Sequence, residues 1–300
     1  MSRLLGDRIT GFVRDVDKAI SVEDPYALVL RLTLLLLLLL ATGFPLVDVP
    51  VRVACGTMLL FPPLLRAAAI WWALVFFQFI KVLAQWHVLD NHEYLAAYWV
   101  VTCAISLHLA DRFRDTYVRW TARVLIGLVF VCATVWKLLA AEYLDGRFLY
   151  YTALLDPRLE TISSFLTTHG LEDLRLGREA VRAMGSLGLE DARVPLASSG
   201  RLWFVAIGLS WLTIVGEGTI AALHLWPPRR YQHTRHYALM GFIGATYFFL
   251  PVVGFAFVLA ILGFAQCDRG DQELRADYLL LLLIVQLTAI PWQRLVGGYS

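Results

Sequence analysis

Apolar stretches about as long as a bilayer is thick recur from one end of this chain to the other, and they restrict its fold more than any other feature. A helix needs roughly 20 apolar residues to cross the hydrocarbon core. The segments 26–45, 50–65, 67–86, 94–110, 120–140, 201–226, 237–265 and 277–292 read as such helices, the first containing an unbroken leucine run from Leu34 to Leu40. They are too long for the alternating strands of a barrel, and in lipid every backbone polar group must be satisfied within the helix. The pattern predicts an all-α, polytopic transmembrane helical bundle of about eight spans. The chain is 59% hydrophobic with a mean hydropathy of +0.64, well beyond a soluble domain of 300 residues. A formal charge of +2 is too small to suggest nucleic-acid binding; the partner the composition implies is the lipid bilayer.

Residues 1–25 alternate apolar and charged positions at helical spacing (Leu4, Leu5, Ile9, Phe12, Val13, Val16, Ile20). They read as an amphipathic N-terminal helix on the membrane surface or against the bundle. They are too polar for a cleavable leader, so the first span is expected to target the chain. Residues 26–300 form the transmembrane domain. Within it 141–200 is the longest polar segment, an extramembrane stretch with helical patches at 156–168 and 174–187. Arginines concentrate in 1–25, 111–119 and 227–236. By the positive-inside rule both termini are expected in the cytoplasm. The 87–93 and 141–200 segments then lie on the outer face, periplasmic or lumenal.

Arginine dominates the basic residues, and the lysines are only Lys18, Lys81 and Lys137. A desolvated lysine can lose its proton where an arginine cannot. Lys81 and Lys137 are therefore the places to look for a base, against the alternative that each snorkels to the headgroups. Lys137 lies near the end of the fifth span, followed by Glu142, Tyr143, Asp145 and Gly146; Asp145-Gly146 is a turn signal that would fold Glu142 and Tyr143 back over a pocket. Asp90-Asn91-His92-Glu93 sits between the third and fourth spans. His92 is either a helix-cap residue or an acid/base group held by a carboxylate. In the expected topology Lys137, His92, Glu93, Glu142, Tyr143, Asp145 and Lys81 gather at one membrane face.

Glu217 falls mid-span in Val215-Gly216-Glu217-Gly218, where an acid must be protonated or paired. It reads as an interhelical contact, a proton relay or the partner of a buried lysine, with the two glycines letting another helix approach closely. Trp71, Trp72 and Trp86 fit interfacial anchors, and His224, His233 and His236 fit headgroup-facing positions. Cys55, Cys103, Cys132 and Cys267 lack metal-ligand spacing, and the first three read as small core residues. His87, His92 and Glu93 match no standard metal motif, so no metal is expected.

Two stretches resemble a known family. Asp90-Asn91-His92-Glu93-Tyr94-Leu95 resembles Asn-Asn-His-Ser-Tyr-Leu. Trp136-Lys137-Leu138, then Tyr143-Leu144-Asp145-Gly146, resembles Lys-Lys-Leu followed by Trp-Val-Glu-Gly. Both patterns belong to the horizontally transferred transmembrane domain family, which includes the vitamin K-dependent gamma-glutamyl carboxylase and bacterial relatives. The resemblance covers roughly residues 26–265. It implies a quinol-dependent membrane enzyme in which Lys137 is the base that deprotonates a reduced, vitamin K-like quinone and His92 is the pocket histidine. The substrate it implies is a peptide or protein glutamate at the outer face. The chain departs from the family in three respects. Trp136 replaces one of two adjacent lysines. Ala245-Thr246-Tyr247-Phe248-Phe249 stands where the enzyme has Tyr-Phe-His. The residues read here, ending at Ser300, cover only the membrane core and not the enzyme's soluble C-terminal part. The alternative the family also allows is a non-catalytic membrane partner in peptide or toxin maturation or export, docking through 141–200. A transporter with Glu217 and Lys81 along its path is the third reading; no inverted repeat supports it.

Overall fold

The computed structural model describes residues 24–40, 43–167, 170–186, 199–226, 231–249, 252–268 and 270–288. Most of the amphipathic 1–25 segment, Pro227-Pro228 and the end of the eighth span lie outside them. The described residues are all-helical: thirteen α-helices, two short 3-10 turns and no strand. In order the helices are α1 (Pro25–Leu39), α2 (Pro45–Leu60), α3 (Ala68–Gln85), α4 (Asn91–Ser106), α5 (Asp111–Leu139), α6 (Ala141–Leu144), α7 (Arg147–Leu155), α8 (Glu160–Leu166), α9 (Leu171–Ser186), α10 (Gly200–Leu225), α11 (Gln232–Phe249), α12 (Val253–Ala265) and α13 (Gln272–Thr288).

Three of these, α3, α5 and α10, are long and apolar enough to cross a membrane. On α3 and α10 the two faces are sorted by polarity. On α3 the buried stripe is Trp71, Leu74, Gln78 and Lys81, while Trp72, Phe76, Phe79 and Leu83 are exposed. On α10 the buried stripe is Leu202, Ala206, Ser210, Ile214, Glu217, Ile220, Ala221 and His224, while Phe204, Trp211, Leu212 and Val215 are exposed. Both stripes recur every three or four residues, the spacing of one helix face. Polar groups turned inward beneath large apolar side chains turned outward suit a bilayer as the outer solvent.

The chain divides into two compact units. The first holds residues 1–126, 227–247 and 252–300. Its centre is α12, buried at every residue from Ala256 to Ala265, as a helix apolar on all sides must be. α12 packs on α1, α4 and α13. A buried polar ladder joins α1 to α4: Tyr26 Oη lies 2.7 Å from Ser106 Oγ, and Trp99 Nε1 donates to Thr33 Oγ1 at 2.9 Å. Satisfied polar contacts of this kind fix which helix faces meet.

The second unit holds residues 127–226 and 248–251. Between α6 and α10 it builds a small core from Tyr150, Leu154, Leu174, Leu202 and Ala206. Glu160 on α8 pairs with Arg175 and Arg178 on α9. Ser199 caps α10 and also bonds back to Leu166 and Tyr150.

Several sequence expectations are corrected. The 237–265 segment is not one helix but two: α11 ends at Phe249, α12 begins at Val253, and Val252 before it has non-helical backbone. Residues 141–144 and 147–155 are helical as well, as α6 and α7. Trp71 is no interfacial anchor; it is fully buried and donates to the Leu65 carbonyl at 2.9 Å. His224 and His236 are buried rather than headgroup-facing, His236 Nδ1 lying 3.0 Å from Tyr278 Oη. Cys132 is exposed, not part of the core.

Candidate functional site

Each unit holds one cluster of the residues that the sequence singles out. In the second unit Lys137, on the last turn of α5, meets Glu217 on α10. Its Nζ lies 2.5 Å from both carboxylate oxygens. The side chains are 17% and 7% exposed. The two helices run antiparallel here, since Gly127 abuts Leu225, Thr134 faces Gly218 and Lys137 meets Glu217. The close approach falls at Gly127, where an added Cβ would come within 2.5 Å of the Leu225 side chain. Gly216 opens on free space and Gly218 would make only ordinary contact with Thr134, so the expected role of those two glycines is not the one they have.

α5 stops at Leu139, and Ala140 turns the chain into the single turn α6. Gly146 follows in the left-handed region with φ +80°, its backbone against Ile207. A side chain there would be both strained and blocked. This turn brings Tyr143, but not Glu142, back to the lysine: Lys137 Nζ stands 5.3 Å from the Tyr143 ring centre. Burial, opposed by a hydrogen bond with Thr213, pushes the Tyr143 hydroxyl up to about 12. Glu142 is exposed, and Asp145 pairs with Arg147 at 2.6 Å. The turn therefore supplies Tyr143 to the cluster and leaves the two acids outside it.

In the first unit Lys81 is the buried lysine, 2% exposed, with Nζ 2.7 Å from Glu93 Oε1. The other oxygen of Glu93 accepts from the Asp90 backbone N–H at 3.0 Å, the reciprocal half of a capping box at the start of α4. One carboxylate thus closes the α3–α4 hairpin and neutralises a buried ammonium. His92 lies 3.9 Å from Asp90 and rests on α12: a Cβ at Gly254 would fall 2.6 Å from His92 Nε2. Ahead of the apolar run that starts at Tyr94, burial holds the His92 imidazole below its ordinary pKa against the charges of Glu93 and Asp90. His87 is exposed against Trp86.

No family model, curated protein or solved structure matches this chain. Each of the two clusters places one lysine against one glutamate in a poorly solvated setting. A Lys–Glu pair of this kind can hold a proton between two nitrogen and oxygen bases, or lock two helices together. No group of three or more His, Cys, Asp or Glu able to hold a metal occurs among the described residues. The sequence reading identified Lys137, Glu217, Lys81 and Glu93 and offered Glu217 as the partner of a buried lysine, without saying which lysine, and it did not pair Lys81 with Glu93. It missed Thr213 and Gly254, which carry no motif; only the helix register brings them to Tyr143 and His92.

Proposed function

We propose that this chain is a multi-pass membrane protein of about eight spans, built like the membrane core of the horizontally transferred transmembrane domain family. In this reading both termini are cytoplasmic, the site faces the periplasm or lumen, and the Lys137–Glu217 pair handles the proton of a lipid-soluble quinol. The observation that carries the proposal is that pair. Two ionised groups on opposed apolar helices are expensive to keep in a bilayer, so they persist where a proton or a polar ligand has to be met.

The donor set fits a reduced quinone. Lys137 and Glu217 offer a base and its counter-charge, Tyr143 a buried hydroxyl, and the neighbouring Trp136 and Leu212 are exposed apolar surface for a ring. Because Trp136 and Leu212 are exposed on helices long and apolar enough to cross a membrane, the quinol is expected to approach from the lipid side. When bound, a reduced quinone would supply an acidic hydroxyl. Glu217 holds Lys137 at the end of α5 and receives its proton if the amine is to act. Tyr143 and Thr213 keep the ammonium end of α5 from opening to water. His92, which rests against Gly254, is the pocket histidine that the resemblance implies, and the Lys81–Glu93 pair beside it is a supporting group.

The test is organic extraction and mass spectrometry of the protein purified in mild detergent, beside Lys137→Ala. A quinone near one per chain in wild type and lost from the variant supports the reading. A folded wild type that carries no quinone overturns it.

A second reading, a non-catalytic partner for a peptide or protein in maturation or export, is favoured by Phe165, which is 86% exposed on α8 with Ile162 and Leu176 also exposed. In that case a partner co-purifies from native membranes and is lost on Phe165→Ser, while Lys137→Ala retains it.

A further inference from the structure

In the first unit a cavity of about 280 Å³ is lined by Thr116, Arg119, Trp120, Arg123, Gln232, Arg235, Gln266 and Asp268. Its α5 residues fall at positions i, i+3, i+4 and i+7, one helix face; Gln232 and Arg235 are one turn apart on α11. Three arginines share this cavity with one aspartate. That aspartate is engaged, since Asp268 pairs with Arg119 and accepts from Gln232 Nε2 at 3.1 Å. Its neighbour Asp271 is taken up by the Asp268 backbone N–H at 3.1 Å.

The remaining two arginines are differently placed. Arg235 is 9% exposed. The Nε atoms of both Arg235 and Arg123 are buried without a hydrogen-bond partner among the described residues. Burial first, and then the nearby charge of Arg123, disfavour the charge on Arg235. Two like charges brought together under cover, with donors unused, cost stability unless something anionic joins them. Guanidinium forks match the oxygens of a phosphate in number and spacing.

We infer that this cavity is a binding site for a phosphate group, held between Arg123 and Arg235. Gln232 and Thr116 also line it, and Gln266 Oε1, buried and without a partner among the described residues, suits the remaining P–OH of a hydrogen phosphate. The site is separate from the lysine–glutamate clusters and does not depend on the quinol reading. Free phosphate and a lipid headgroup share this chemistry. The neighbouring cavity of about 300 Å³ bears on the source. It shares Arg119 and Asp268 with the basic one; Tyr26, Asp115 and Cys267 also line it, and its apolar walls are Pro25, Val29, Val118, Phe264 and Ala265, which could take the start of an acyl chain beside a phosphate site.

The experiment uses the full chain in detergent. Dioleoyl phosphatidic acid and dioleoyl phosphatidylcholine are titrated by native mass spectrometry, and inorganic phosphate by calorimetry, for wild type, Arg123→Gln and Arg235→Lys. Each variant is checked for an unchanged melting temperature without ligand. Arg123 is only half-buried, so its variant tests the site even if Arg235→Lys does not fold. The expected result is saturable binding that Arg123→Gln weakens at least about tenfold, the loss of a charge-assisted bond. Phosphatidic acid bound and inorganic phosphate not bound identifies a lipid headgroup; both bound identifies the phosphate group itself as the ligand. Binding of neither probe, or binding that Arg123→Gln leaves unchanged, overturns the inference.

Discussion

Lys137 Nζ sits 2.5 Å from each carboxylate oxygen of Glu217, 80 positions away along the chain. The arrangement joins the end of one apolar helix to the middle of another that runs the opposite way. Removing one partner leaves a charge without its counter-ion in a poorly solvated place, which costs about 3–5 kcal/mol. Glu217→Gln is therefore expected to lower the melting temperature in detergent strongly. The double variant Lys137→Met with Glu217→Leu should recover most of the loss, because a matched apolar pair of similar volume is often neutral. Additive losses in the double variant would show that the two side chains are not coupled.

Glu93 carries two duties, and substitutions can separate them. Glu93→Gln retains a side-chain oxygen for the Asp90 N–H but removes the charge that faces Lys81. Glu93→Ala removes both. The second should be less stable than the first by about 1 kcal/mol, the ordinary contribution of a helix cap. Equal melting temperatures for the two variants would mean that the cap contributes nothing here.

His92 lies against a glycine on α12, and that contact predicts a specific rescue. Gly254→Ala places a methyl within 2.6 Å of His92 Nε2. Overpacking of this sort costs about 1–3 kcal/mol. Adding His92→Ala to Gly254→Ala should restore stability, whereas His92→Ala alone should do little for the fold. If Gly254→Ala melts with wild type, the imidazole moves freely, and its proposed fixed role at the site fails with it.

The sequence made the helices and the ionisable residues legible for the same reason: a lysine or glutamate inside a run of apolar residues stands out against its surroundings. Lys81, Lys137 and Glu217 could be named this way. Their partners could not, because pairing depends on the register between helices far apart in the chain. Lys81 and Glu93 are the exception in principle. They flank one helical hairpin, and their spacing places both near its closed end. The division of 237–265 into α11 and α12 was not legible, because hydropathy is high on both sides of it. Arg123 and Arg235 stayed hidden because neither is unusual alone, and only the fold puts them in one cavity.

Acid should weaken the helices of the 141–200 segment before other parts of the second unit. A hydrogen bond from Arg158 holds the Asp156 carboxyl below its ordinary pKa. Burial opposes the same effect at Glu160, but the hydrogen bonds and charges of Arg175 and Arg178 prevail, so its carboxyl is also lowered. A depressed carboxylate stabilises the fold above its unfolded pKa, near 4, because the unfolded chain binds the proton first. That contribution is lost as pH falls through the folded value below 4. Wild type should therefore melt above Glu160→Gln at pH 6, and the gap should close toward pH 3. A gap that stays constant across this range would assign the effect to packing rather than to the ion pairs.

Cys132 offers the most direct check that α5 lies in lipid. It is exposed on a 29-residue helix that is long and apolar enough to cross a membrane, while Cys55, Cys103 and Cys267 are buried. In intact membranes a charged, impermeant maleimide should leave Cys132 unmodified, because neither the reagent nor the thiolate it needs is stable in hydrocarbon. Detergent should expose the same thiol to a water-soluble reagent, and Cys132→Ala should remove that labelling. Rapid labelling of Cys132 by the impermeant reagent in sealed vesicles would place it in water and remove α5 from the set of membrane-crossing helices, and with it the lipid approach to Lys137.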